Sequence, residues 1–140
     1  MALSFWVHHV TLHVPLTIPA VLAALGLWMW RDESARHVTF IRWVGLGCLA
    51  ATTLAMVAGI LSAPGFLGGD GSETLRDHRD LGVTAWSVVM LASLSYDYGV
   101  RKEDVLWRRL GVCWWAVAAL AGLGAGHWGG LHEHAKHIPF

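Results

Sequence analysis

Apolar residues gather into four long stretches, at about 3–30, 40–63, 81–97 and 110–128, with short charged segments between them. At a helical rise of about 1.5 Å per residue, roughly 20 apolar residues cross a hydrocarbon core of about 30 Å, so each stretch reads as a membrane span. The pattern predicts an all-α fold, an integral membrane four-helix bundle that takes up residues 1–140 as one domain and ends in a His-rich tail at 129–140. The connections sort by charge: Arg31, Arg36 and Arg42 flank the first, and Arg101, Lys102, Arg108 and Arg109 fill the third, which leaves Arg76, Arg79 and Lys136 for the other side. By the positive-inside rule the first and third connections are cytoplasmic, so both termini and the 64–80 loop face the outer, periplasmic side.

Composition agrees with this reading. The chain is 55% hydrophobic and only 14% charged, with a mean hydropathy of +0.48, which is the balance of a membrane protein rather than of a soluble core under a solvated surface. Trp6, Trp28, Trp30, Trp43, Trp107 and Trp128 fall near the expected span ends, where an indole sits well at headgroup level. The first stretch lacks a basic flank and a small-residue cleavage site and carries three histidines, so it is expected to be a retained span. With zero formal net charge and no basic run, nothing points to nucleic acid.

Local features refine the spans. Pro15 and Pro19 remove backbone donors from the first and should bend or loosen it unless neighbouring helices satisfy the freed carbonyls. Small residues recur every fourth position at Gly47, Ala51, Ala55 and Gly59 in span two and at Ala118, Gly122, Gly126 and Gly130 in span four. Such stripes serve close helix packing, or else leave room for a flat ligand. Cys48 and Cys113 read as packing residues. The glycine-rich loop from Pro64 leads to Ser72, an expected N-cap with Glu73 in the first turn, so span three is expected to begin as a helix ahead of its apolar part.

The candidate chemistry is imidazole. His8, His9, His13, His78, His127, His132, His134 and His137 all fall at or near the outer face, and His37 alone lies inside, in a loop. Imidazole in hydrocarbon is costly unless bonded, so a one-sided cluster reads first as a ligand set, although each ring singly could bond a neighbouring helix carbonyl. His9 and His13 share a helical face, and Gly82 lies one turn beyond His78, leaving a smooth strip beside that ring. A porphyrin needs two axial imidazoles from facing helices and neighbours without bulk, and this chain offers both. The tail with His132, Glu133 and His134 resembles weak Zn or Cu sites as much as a polar end cap. No nucleophile, carboxylate pair or phosphate-cradling glycine loop is present, so hydrolase and nucleotide-binding functions are excluded.

Three strings, His8-x4-His13-x-Pro15, His78-Arg79-x-Leu81-Gly82 and Gly126-His127-x-Gly129-Gly130-Leu131, occur in order through most of the chain. Together they resemble a family of small bacterial inner-membrane proteins of unknown function, four-helix proteins of which some are fused to or encoded with cytochrome c or Rieske domains. The resemblance implies a multi-pass protein of the bacterial inner membrane that takes part in electron transfer with haem b. It departs in the His-rich ending, where the family continues with an apolar, Tyr-containing segment.

The leading expectation is thus a b-type cytochrome subunit rather than a stand-alone enzyme. It holds one haem near the outer face and exchanges electrons with other membrane or periplasmic electron-transfer subunits. His13 and His78 are the first axial pair, followed by His127 and His8, with Gly82 and Gly126 giving room and Arg79 facing a haem propionate. The rivals are a Cu- or Zn-binding membrane protein using His9, His13, His127, His132 and His134, and a structural subunit of a larger respiratory or photosynthetic complex.

Overall fold

In a computed structural model the chain forms four helices, α1 (Ala2–Trp28), α2 (Ala35–Ser62), α3 (Glu73–Arg101) and α4 (Val105–Ala135), with no strand among the described residues. The structure describes residues 2–31, 34–62 and 73–135, and side chains over 13–31, 34–61 and 76–127. The all-α four-helix expectation holds. Two helices, over Ala35–Leu61 and Val105–His127, are long and apolar enough to cross a membrane, and His13–Trp28 of α1 is a shorter apolar run. Every helix except α1 outruns its apolar stretch: α3 starts at Glu73, which sets His78 in its second turn, and α4 continues through part of the histidine-bearing tail. The expected N-cap at Ser72 lies outside the described residues.

Short side chains close the helix ends at the basic end of the bundle. Ser34 precedes α2, and its Oγ accepts from the His37 backbone N–H at 3.4 Å while sharing a 2.8 Å hydrogen bond with His37 Nδ1. Ser34 thus acts as the N-cap, and the His37 imidazole braces its hydroxyl. His37 therefore belongs to the first turn of α2, not to a loop. Helix α3 ends where Asp104 N–H donates to Gly99 O at 2.8 Å and Glu103 takes a left-handed φ of 54°, and Asp104 Oδ1 then accepts from Leu106 N–H at 2.8 Å to start α4.

The helices pack in antiparallel sequence, with α4 against both α3 and α1, and α2 between α1 and α3. Glycines set the closest approaches. A Cβ on Gly111 would lie 2.9 Å from Ala92 O of α3, and one on Gly45 would lie 2.5 Å from Cζ2 of Trp115, so the α3–α4 contact and the seat of the buried indole both require bare backbone. The sequence stripe singled out Gly47, which the structure leaves exposed with nothing among the described residues within 4 Å of a Cβ. Gly45 lies two residues away, about 200° round the helix, and it is this face that receives the Trp115 ring from α4 and Ser93 of α3.

Helix α1 stays continuous through both prolines. Pro19 has no N–H for the Pro15 carbonyl, and that carbonyl lies against Gly122, where a Cβ would come within 2.9 Å of the oxygen. The neighbouring helix thus covers the freed group with its Cα–H face. Thr17 Oγ1 adds a 2.6 Å hydrogen bond to His13 O in the same turn. Gly122→Ala is expected to destabilise the protein by about 1–3 kcal/mol, because the obstacle is backbone and cannot rotate away. Thermal unfolding followed by circular dichroism in detergent measures this, and an unchanged midpoint would contradict the contact.

Candidate functional site at the histidine end

The helix register brings three histidines to one level. Pro15 lies against Gly122 and Gly26 against Val112, so the antiparallel α1–α4 pair sets His13 level with residue ~124 of α4. His78 Nδ1 lies 2.8 Å from Ala125 O, and Leu81 packs on Gly124, which sets His78 of α3 at the same level. His127 is two residues farther along α4, about 3 Å of rise. Imidazoles from α1, α3 and α4 therefore sit within about one helical turn of one another at one end of the bundle.

Their settings differ. His78 is half-buried against α4, whereas His13 and His127 are exposed. A carbonyl oxygen can only accept, so the bond to Ala125 puts the ring hydrogen of neutral His78 on Nδ1 and the lone pair on Nε2. An imidazole that ligates iron or copper commonly has this arrangement, with the remote nitrogen tied to a carbonyl that fixes tautomer and ring plane. One turn beyond His78, Gly82 has nothing among the described residues within 4 Å of a Cβ, and Ala85 closes the strip by being buried. These features of His78 and Gly82 fit one axial imidazole beside a bare strip of helix.

Other expected contributors have different tasks. The space beside Gly126 on the α1 side is taken by Leu16, whose Cδ2 would lie 3.0 Å from a Cβ, and Gly122 is taken by Pro15, so the described part of the α4 stripe serves helix packing. Arg79 Nε donates to Asp80 Oδ1 at 2.7 Å. Cys48 is buried, Cys113 is exposed, and both are free thiols. His8, His9, His132 and His134 lie on the helical backbone of α1 and α4, but their side chains, like His137 altogether, lie outside the described residues. Among the described residues no group of three or more His, Cys, Asp or Glu side chains is gathered to hold a metal ion.

A second polar feature escaped the sequence reading. Along the α2–α3 contact, Arg42 Nε donates to Asp97 Oδ1 at 2.7 Å, Ser93 Oγ donates to Gly45 O at 2.9 Å, and Trp86 Nε1 donates to Thr53 Oγ1 at 3.0 Å. Arg101 completes the pairing by reaching Asp97 Oδ2. The signal was present: Arg42 and Asp97 are opposite charges near the same ends of adjoining apolar stretches, where an ionisable group needs a partner. On the far side of the bundle, Arg109 Nη2 caps the end of α1 through Trp30 O at 3.1 Å and lies 4.9 Å over the Trp30 ring. No family model matches the chain, and no curated protein or solved structure matches it.

Proposed function

We propose that this chain is an integral membrane electron-transfer subunit of the bacterial inner membrane, holding one haem b near its outer, histidine-bearing end through two imidazoles. The observation that carries the reading is the common level of His13, His78 and His127 on three helices, with His78 fixed by its bond to Ala125 O.

Insertion of all four helices is supported by what the bundle leaves outside. Large apolar side chains are exposed on each helix: Leu27 on α1, Leu54 and Leu61 on α2, Leu91 and Leu94 on α3, and Leu120 and Leu123 on α4, the last two at 71% and 60%. An apolar belt of this extent is stable against lipid and unstable in water. The charge asymmetry of the connections supports outer termini. Resemblance of the three His-bearing strings to the bacterial inner-membrane family supports the membrane and the redox assignment.

In this reading His78 is the first ligand, oriented by Ala125 O, with His13 as its first-choice partner and His127 or His8 next. Gly82 leaves the adjoining turn of α3 bare. When bound, haem supplies reversible one-electron chemistry between a membrane donor and a periplasmic acceptor. The chain itself supplies ligation, orientation and an apolar surround that excludes water. A second reading, a structural subunit of a larger complex, is favoured by one observation: the His78 bond to Ala125 O is also what a purely structural interhelical histidine makes.

Spectra of the purified full chain in mild detergent test the proposal. The expected result is a Soret band with reduced b-type peaks at about one haem per chain, falling at least tenfold in His78→Ala with helicity retained, and recovering when imidazole is supplied in solution. Colourless protein with stoichiometric copper or zinc would replace haem by the metal-binding alternative. Colourless, metal-free protein that stays folded would leave the structural reading.

A further inference from the structure

At the basic end of the α2–α3 contact, one buried carboxylate holds two arginines. Asp97 is 5% exposed, and its two oxygens are each taken, Oδ1 by Arg42 Nε and Oδ2 by Arg101. Two guanidinium groups against one carboxylate leave a net single positive charge. Among the described residues neither arginine has a second carboxylate partner. The Arg101 side chain is 62% exposed and that of Arg42 is 26% exposed, so both present further N–H donors outward from a fixed position.

The surroundings are those of a bilayer interface. Arg42 lies 5.3 Å over the ring of Trp43, itself exposed, and Phe40, three residues earlier, is exposed on the same side. Toward the middle of the bundle the lane above the arginines is apolar: Leu46 and Ala50 follow Arg42 at one and two turns on α2, and Leu94 precedes Asp97 by one turn on α3. A paired cation at the rim with an apolar lane leading inward is complementary to an anionic headgroup joined to acyl chains.

We propose that the Arg42–Asp97–Arg101 cluster is a binding site for an anionic phospholipid, its phosphate held by the two arginines and its chains lying along Leu46, Ala50 and Leu94. Asp97 acts as the positioning residue, since without it the two guanidinium groups repel each other and swing apart. This inference rests on the membrane part of the function proposed above and does not depend on haem.

The test is native mass spectrometry of the full chain, purified in a neutral detergent, delipidated and titrated with dioleoyl-phosphatidylglycerol or dioleoyl-phosphatidylcholine. The expected result is one tightly held phosphatidylglycerol, preferred roughly tenfold or more over phosphatidylcholine. Arg101→Gln, which removes an exposed side chain and leaves Arg42 paired, should reduce the preference severalfold. Arg42→Gln with Arg101→Gln should abolish it, and Arg36→Gln, an exposed cation elsewhere on α2, should leave it intact. Equal binding of the two lipids, an equal loss with Arg36→Gln, or displacement of the lipid by inorganic phosphate alone overturns the proposal. A chain recovered from cells without detergent overturns the membrane reading itself, and is told apart from these outcomes before any lipid is added.

Discussion

Trp115→Ala is expected to cost about 3 kcal/mol and to lower the unfolding midpoint more than any other single truncation in the bundle. Trp115 is fully buried, in a cluster with Leu22, Ile41, Ala92, Tyr96 and Val112, its ring centroid 5.0 Å from that of Tyr96, and Gly45 is bare to admit its edge. Side chains from all four helices close round it, so the void left by alanine cannot be filled by movement of one neighbour. The cost lies at the lower end for a core tryptophan. Under the membrane reading proposed above, helices that come apart remain in apolar surroundings, and most of the loss is packing contact rather than transfer from water. Trp115→Phe separates the contributions. Among the described residues the buried indole Nε1 has no hydrogen-bond partner, so phenylalanine removes an unsatisfied donor along with part of the volume. The expected loss is about 1 kcal/mol or less, measured by thermal or denaturant unfolding in detergent. A phenylalanine variant as damaged as the alanine one would mean that Nε1 has a partner, such as an internal water.

The next largest effect is expected at Asp97. Asp97→Asn keeps the shape of the side chain but removes the charge that holds Arg42 and Arg101 together, leaving two like charges at the α2–α3 contact. Breaking a fully buried ion pair costs roughly 3–5 kcal/mol. Here the arginine side chains are 26% and 62% exposed and keep part of their solvation, so about 2 kcal/mol is expected. Raising ionic strength should narrow the gap between variant and parent, because salt screens the repulsion. A double variant, Asp97→Asn with Arg42→Gln, should recover part of the loss; no recovery would show that the carboxylate acts through its shape rather than its charge.

Much of the architecture was legible because hydropathy and breaker residues act locally. Four apolar stretches became four helices, and the charged segments, with Ser34 and Asp104 as caps, fell between them. The early start of α3 at Glu73 was legible from the glycine-rich loop and the first-turn Glu73, whereas the start of α2 at Ala35 and the run of α4 to Ala135 were not, since 35–39 and 129–135 carry no apolar signal. The histidines were visible as a cluster along the chain, and the common level of His13, His78 and His127 follows from antiparallel packing of helices of similar length. The setting of each ring was not visible: His78 bonds the Ala125 carbonyl of α4, whereas His13 and His127 are exposed.

Residue order alone was enough to establish the number of helices, the apolar character of α2 and α4 and the common end of His13, His78 and His127, because these depend on length, polarity and alternating chain direction. Helix rotation was set by three-dimensional packing. It selected Gly45 over Gly47, aimed the Pro15 carbonyl at Gly122, seated Trp115 among four helices and joined Arg42 to Asp97 across 55 positions. A turn of 100° per residue separates a core position from an exposed one, and in helices as apolar as α2 and α4 the composition does not record which face points inward.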